Sequence, residues 1–253
     1  MKPEIRIFQT IEQLSHNAAE LFADQAARSI EKRGQFLVAL NGGGTPKRLF
    51  ELLGSQYRDK AQWEKTHVFW GDERLVHADD PESSYGQARK QFLQHVAIPE
   101  SNIHPVNGML LPEEAANEYA QVLRQFAAAP LKFPRFDLVY LGMGEDGHTA
   151  SLFPNSAWDA SEPVIAVTAQ YQDRPAHRVT MTPLVFNQAR MVVFMAAGEK
   201  KAATLAEVLS GRYDPELYPA QRIEPKDGKL FWLVDEDAAD KLPNRLMCKY
   251  CEG

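Results

Sequence analysis

The sequence predicts an α/β protein with a mostly parallel sheet covered by helices on both faces. Three observations carry that reading. Short, near-continuous apolar runs at Phe36–Leu40, His67–Gly71 and Phe136–Leu141 have the look of strands buried on both sides. Between them lie longer segments whose apolar residues recur near a 3.6-residue period. The two patterns alternate along the chain, as βαβ units require.

Taken in order, Ile11–Arg33 sets Leu14, Ala18, Leu21, Phe22 and Ile30 near one helical face, and Gly34 closes the helix. Phe36–Leu40 is a strand that ends in glycines. Pro46 opens a helix, because proline suits a first helical turn, and Leu49, Leu52 and Leu53 share a face. His67–Gly71 is the second strand, and helices are expected over Tyr85–Val96 and Pro112–Ala128. The third strand, Phe136–Leu141, runs into Gly142 and Gly144. Val164–Thr168, Met191–Ala196 and Leu230–Val234 are further strands, Lys200–Leu209 an alanine-rich helix and Glu236–Leu242 a short last one. Gly211–Gly228 reads as an ordered excursion.

The chain has 253 residues, of which 44% are hydrophobic and 25% charged, which fits a folded protein and argues against general disorder. No stretch is long enough for a linker, so one domain over residues 1–253 is expected, with a short flexible tail at 243–253. No apolar run approaches the ~20 residues of a membrane span, and mean hydropathy is −0.39. The first residues hold no apolar signal core, and a cytoplasmic location is expected. Both cysteines, Cys248 and Cys251, stand in the tail. They supply half of a tetrahedral zinc site and lack the setting of a redox motif. Net charge is −6, which argues against nucleic-acid binding; an anionic ligand would need local cations and backbone amides.

Ligands of such sheets sit beyond the carboxyl ends of the strands, and three strands here enter unusual loops. Asn41-Gly42-Gly43-Gly44-Thr45-Pro46 lets backbone amides approach an anion or oxyanion, without Walker or dinucleotide spacing. The alternative is a plain glycine turn. Trp70-Gly71-Asp72-Glu73-Arg74 puts charges at a strand exit, either for a ligand or as a solvated turn in which Arg74 pairs with an acid. Gly142–Pro154 frames Asp146 and His148 with glycines. A carboxylate beside an imidazole can hold its tautomer and stabilise the cation it becomes on taking a proton. The alternative is a histidine capping a helix. No second histidine or carboxylate stands at metal-ligand spacing.

These loops, with Arg178–Ala202 and the ending Leu217–Ile223 plus Phe231–Ala239, closely resemble the 6-phosphogluconolactonase family over about residues 35–242. The resemblance implies a Rossmann-like fold shared with glucosamine-6-phosphate deaminases. It implies hydrolysis of 6-phospho-D-glucono-1,5-lactone in the oxidative pentose phosphate pathway, with no cofactor and no metal. His148 would be the base and Asp146 its orienting partner. Gly43, Gly44, Thr45, Asp72, Arg74, Arg178 and Lys201 would bind substrate. Gly43 and Gly44 would offer amides to the oxyanion, and Arg74, Arg178 and Lys201 would hold the phosphate. The expected partner is this small phosphosugar alone, with no nucleic acid, no membrane and a monomeric protein. Trp70–Arg74 and Ala150–Pro154 favour the lactonase over the deaminase side. Asn41 and Gly44 stand where the family pattern usually has serines, so a hydroxyl contact at 44 is lost. Ser151 is near His148 but lacks the elbow of a serine nucleophile. An amino-sugar phosphate isomerase or deaminase, and a non-catalytic sugar-phosphate sensor, are the competing readings.

Overall fold

A computed structural model describes residues 3–156, 161–171 and 174–246. The elements are β1 (Glu4–Phe8), α1 (Ile11–Arg33), β2 (Phe36–Leu40), α2 (Lys47–Leu53), β3 (Thr66–Trp70), β4 (Asp72–Arg74), α3 (Ser84–Gln91), β5 (Ile103–His104), α4 (Pro112–Gln125), β6 (Leu138–Gly142), β7 (Val164–Thr168), β8 (His177–Met181), α5 (Pro183–Phe186), β9 (Met191–Ala196), α6 (Ala202–Ser210), β10 (Lys229–Asp235) and α7 (Glu236–Ala239). Seven strands form one parallel sheet in the order β1-β10-β9-β6-β2-β3-β5. The expected α/β architecture is the observed one.

Alternation along each strand divides the core in two. Phe36, Val38 and Leu40 of β2, with Val193 and Met195 of β9, face α1, α2 and α3. Leu37 and Ala39 of β2, with Val192 and Phe194 of β9, face α4, α6 and α7. Because both faces are buried, these strands have no polar side, which is why they read as unbroken apolar runs. The first helix ends where expected: Gly34 turns left-handed at φ 79° and donates to Ile30 O at 2.8 Å.

Several elements differ from the sequence reading. Strand β1 was not anticipated; it is an outermost strand, paired only with β10, and its Glu4 and Arg6 interrupt the apolar pattern. The helix expected over Tyr85–Val96 stops at Gln91. Phe92 leaves helical geometry at φ −145° and packs on Phe50, with ring centroids 5.4 Å apart, and a short 3-10 turn follows. Asp72–Arg74 is not an exit turn but a strand. With β8 and β7 it builds a second, antiparallel sheet of order β4-β8-β7, so Val164–Thr168 belongs there and not to the parallel sheet. The Gly211–Gly228 stretch contains a 3-10 turn at Pro219–Arg222. Asn244–Leu246 forms another, with Leu246 packed against the core, and Cys248 and Cys251 lie outside the described residues. Among the described residues, no helix is long and apolar enough to cross a membrane.

Candidate active site

Strand order locates the site. From β2 the chain proceeds outward through β3 and β5, whereas from β6 it proceeds the other way through β9 and β10, and β2 and β6 are neighbours. At such a reversal the loops after the two strands diverge and leave a crevice at their carboxyl ends. A cavity of about 430 Å³ occurs there, lined by the glycine loop after β2, the Gly142–Ala150 segment after β6, and Lys201 after β9.

On one wall, Asp146 Oδ1 lies 2.6 Å from His148 Nδ1 and also accepts the His148 backbone N–H at 3.1 Å. Burial pushes the Asp146 carboxyl up, but the bonds from His148 outweigh it, and the group titrates below its ordinary range. An ionised carboxylate only accepts, so Nδ1 carries the proton and Nε2 presents its lone pair. The ring is wedged by Phe153 at 4.7 Å and by the edge of Tyr171 at 4.8 Å between centroids. Gly144 underlies it: a methyl group there would overlap the imidazole and stand 2.6 Å from Asp146 Oδ1. The loop then turns through two left-handed residues, Gly147 at φ 87° and Ala150 at φ 49°. For alanine that conformation costs roughly 1–2 kcal/mol, and strain of this kind collects where a site over-determines the backbone.

On the glycine loop, Gly43 adopts φ 116°, and its N–H reaches Gln87 Oε1 at a long 3.5 Å. The Gly44 N–H has no partner among the described residues. Asn41 belongs to the support of this loop. Its Nδ2 donates to Asp72 Oδ1 at 2.7 Å, while Ser151 Oγ donates to Asp72 Oδ2 at 2.7 Å. Asp72 thus ties the first and third loops together, with both oxygens engaged. Ser151 is fully buried in that role.

The Asp72-Glu73-Arg74 motif divides its labour. Glu73 accepts backbone N–H groups from Arg74, Ser84 and Tyr85, each at 2.8 Å, and the Ser83 hydroxyl at 3.2 Å. Burial raises the Glu73 carboxyl above its usual range, against the pull of those three amides. Arg74 faces the cavity and binds Glu82 O at 2.6 Å. Directly across the antiparallel pair stands Arg178, so two guanidinium-bearing residues oppose each other on β4 and β8. Arg178 is buried, stacks over Phe153 at 5.4 Å, and leaves Nε and Nη2 without a partner among the described residues. Burial first, then the charge of Arg74, hold it below an ordinary arginine. Lys201 Nζ donates to Thr45 Oγ1 at 3.3 Å, and burial lowers its ammonium too, with Asp235 and Glu145 opposing. It is not a solvated helix-surface lysine.

All the residues expected at the site line or support this one cavity. Sequence reasoning missed Tyr171 and Arg174, which reach it from the connection between β7 and β8, and the supporting role of Asn41. Neither Tyr171 nor Arg174 belongs to a motif; only the small sheet carries them in. Among the described residues, no group of three His, Cys, Asp or Glu side chains is placed to hold a metal ion.

A parallel α/β sheet with an imidazole–carboxylate pair and a cluster of cations at its reversal has the make-up of an enzyme, with Arg74 3.6 Å from the Glu82 carboxylate. Residues 9–232 match the family described as glucosamine-6-phosphate isomerases/6-phosphogluconolactonase. A 6-phosphogluconolactonase of Synechocystis is 41% identical over 96% of this chain and 99% of its own, and one of Nostoc is 39% identical with the same coverage. The solved 6-phosphogluconolactonase from Trypanosoma cruzi superposes with a TM-score of 0.83 at 27% identity, covering 95% of this chain and 97% of that one. The chain belongs to the 6-phosphogluconolactonase family.

Proposed function

We propose that this protein hydrolyses 6-phospho-D-glucono-1,5-lactone to 6-phospho-D-gluconate, with His148 as the base, and that it serves the oxidative pentose phosphate pathway. One observation carries the reading: a histidine with an exposed lone pair and an arginine with unpartnered N–H groups line the same cavity. The first suits ester hydrolysis and the second a phosphate.

In this scheme His148 Nε2 takes a proton from water as the water oxygen bonds to the lactone carbonyl carbon. The carbonyl oxygen becomes an oxyanion against the Gly43 and Gly44 amides. Collapse of that intermediate breaks the bond to the ring oxygen, which receives the proton held by the imidazolium. Asp146 keeps Nδ1 protonated throughout and stabilises the cation between the two transfers. Such a base contributes about 10²–10⁴-fold, and an oxyanion donor about 10²–10³-fold. An ester carbonyl attacked by base-activated water needs no metal. Arg178, Lys201 and Arg74 hold the phosphate, and Thr45 steadies Lys201. Ser151 does not act as nucleophile, because its hydroxyl is spent on Asp72. Every group named comes from one chain, so a monomer suffices. A phosphorylated substrate that does not cross membranes accords with a cytoplasmic enzyme.

The test generates the lactone with glucose-6-phosphate dehydrogenase and reports its opening with 6-phosphogluconate dehydrogenase. Acceleration well above spontaneous opening is expected. A rate equal to the background, or ammonia released from glucosamine 6-phosphate instead, would overturn the proposal.

A further inference from the structure

The parallel sheet has a second end. Opposite the catalytic loops, at the amino ends of β6, β9 and β10, lies a cavity of about 480 Å³. Strand β9 connects the two sites: Met191 lines the second, and Ala197, just past the strand's end, lines the first. Six residues at 3.3 Å each place them on the order of 20 Å apart.

The second cavity is lined by Arg28, Lys32, Arg33, Arg135, Arg190 and Lys229, with Asp227 the one carboxylate in its wall. Beneath it, buried Asp137 lies 2.7 Å from Arg33 Nη2 and 3.3 Å from Arg190 Nε. One of its oxygens also accepts the Leu37 N–H at 2.9 Å. A single buried carboxylate therefore serves two guanidinium groups, while among the described residues Arg135 binds a backbone oxygen, that of Asp227, and keeps a buried Nε without a partner. In a protein of net charge −6, this concentration of cations is a local reversal of the global field. Among the described residues, Asp137 and Asp227 are the carboxylates at this site, and they offset it only in part. Six cations meet two carboxylates here, in a concave site large enough for a small molecule. Planar guanidinium forks favour phosphate oxygens over monovalent ions.

We propose that this cavity is a binding site for a small anion carrying two or more phosphate charges, separate from the catalytic crevice. Arg135 and Arg190 form its floor and Arg28, Lys32 and Lys229 its rim.

Inorganic pyrophosphate is the probe. Calorimetric titration is run on the wild type, on Arg178→Gln/Lys201→Gln, which strips cations from the catalytic cavity, and on Arg28→Gln/Lys32→Gln/Lys229→Gln, whose three exposed positions leave the core untouched. Binding should persist within about threefold in the first variant and weaken at least about tenfold in the second, since three charge contacts are lost. It should also weaken as salt is raised. Hydrogen exchange on the wild type keeps the test independent of either variant's folding. Pyrophosphate should protect amides around 135–138, 190–192 and 227–230. No binding to the wild type, undiminished binding to the rim variant, or protection confined to the catalytic loops would each refute the site.

Discussion

Gly144 offers a perturbation whose size can be worked from geometry. Its backbone is not in the left-handed region, so alanine fits the main chain without strain. The obstacle is the side chain it would face: an added methyl overlaps the His148 imidazole and comes within 2.6 Å of Asp146 Oδ1. Carbon contacts relax near 3.5–4.0 Å, so the ring must retreat by about 1 Å or more and its 2.6 Å bond to Asp146 must stretch or break. A displacement of that size at a reacting group costs on the order of 10²-fold. Arg178 and Lys201, proposed to hold the phosphate, come from other elements and should not move. Gly144→Ala should therefore lower kcat in the coupled lactonase assay about 100-fold, leave KM within about threefold, and leave Tm nearly unchanged. The double variant Gly144→Ala/His148→Ala should be no slower than His148→Ala alone, because both remove the same contribution. If Gly144→Ala kept more than about a third of wild-type kcat, or if the two losses simply multiplied, the placement of the base against Gly144 would be wrong.

Loss of one charge-assisted contact in Arg178→Gln should reduce kcat/KM for the phosphorylated lactone by about 10–150-fold. It should barely alter hydrolysis of unphosphorylated glucono-1,5-lactone; equal losses on both substrates would assign Arg178 to the carbonyl or the fold. Burial lowers Lys201 from 10.5, and an ammonium is charged only below its pKa. Calorimetric affinity for 6-phosphogluconate should thus fall as pH rises through that lowered value, and Lys201→Arg should keep its affinity further into alkali. An identical alkaline limb in both proteins would clear Lys201 of the phosphate. Ser151→Ala leaves a buried Asp72 oxygen unpaired, at a cost of about 1–3 kcal/mol, or several degrees of Tm, with kcat largely retained. A collapse of kcat without loss of stability would instead point to a serine nucleophile.

What could be read in advance follows burial. β2, β3, β6 and β9 were legible because both their faces are covered, which leaves apolar runs with no competing pattern. β1 was not, because Glu4 and Arg6 on an outermost strand make it resemble a polar lead-in. Of the small antiparallel sheet, β7 and the segment opening at Arg178 read as strands, whereas β4 escaped for a related reason: the charges of Asp72, Glu73 and Arg74 disguise it. His148, Asp146 and the glycines announced themselves because they share short loops. Tyr171 and Arg174 enter by tertiary placement alone. The six cations at the opposite end are spread from residue 28 to residue 229, and no local window contains them together.

The pairing of Arg74 with Arg178 bears on more than recognition. Like charges directly across an antiparallel pair repel, and this pair joins two of the three strands that carry Tyr171 and Arg174 to the crevice. Glu82, 3.6 Å from Arg74 Nη1, and Asp72 offset part of that repulsion. If the phosphate binds as proposed, an arriving dianion would act as mortar, bridging the two guanidinium groups and tightening the sheet on which it rests. Substrate and product should then harden this corner of the molecule against heat and proteases, and plain phosphate buffer should do so partly. Thermal stability measured in phosphate would describe a partly loaded enzyme, whereas an uncharged buffer would expose the looser one that first meets the lactone.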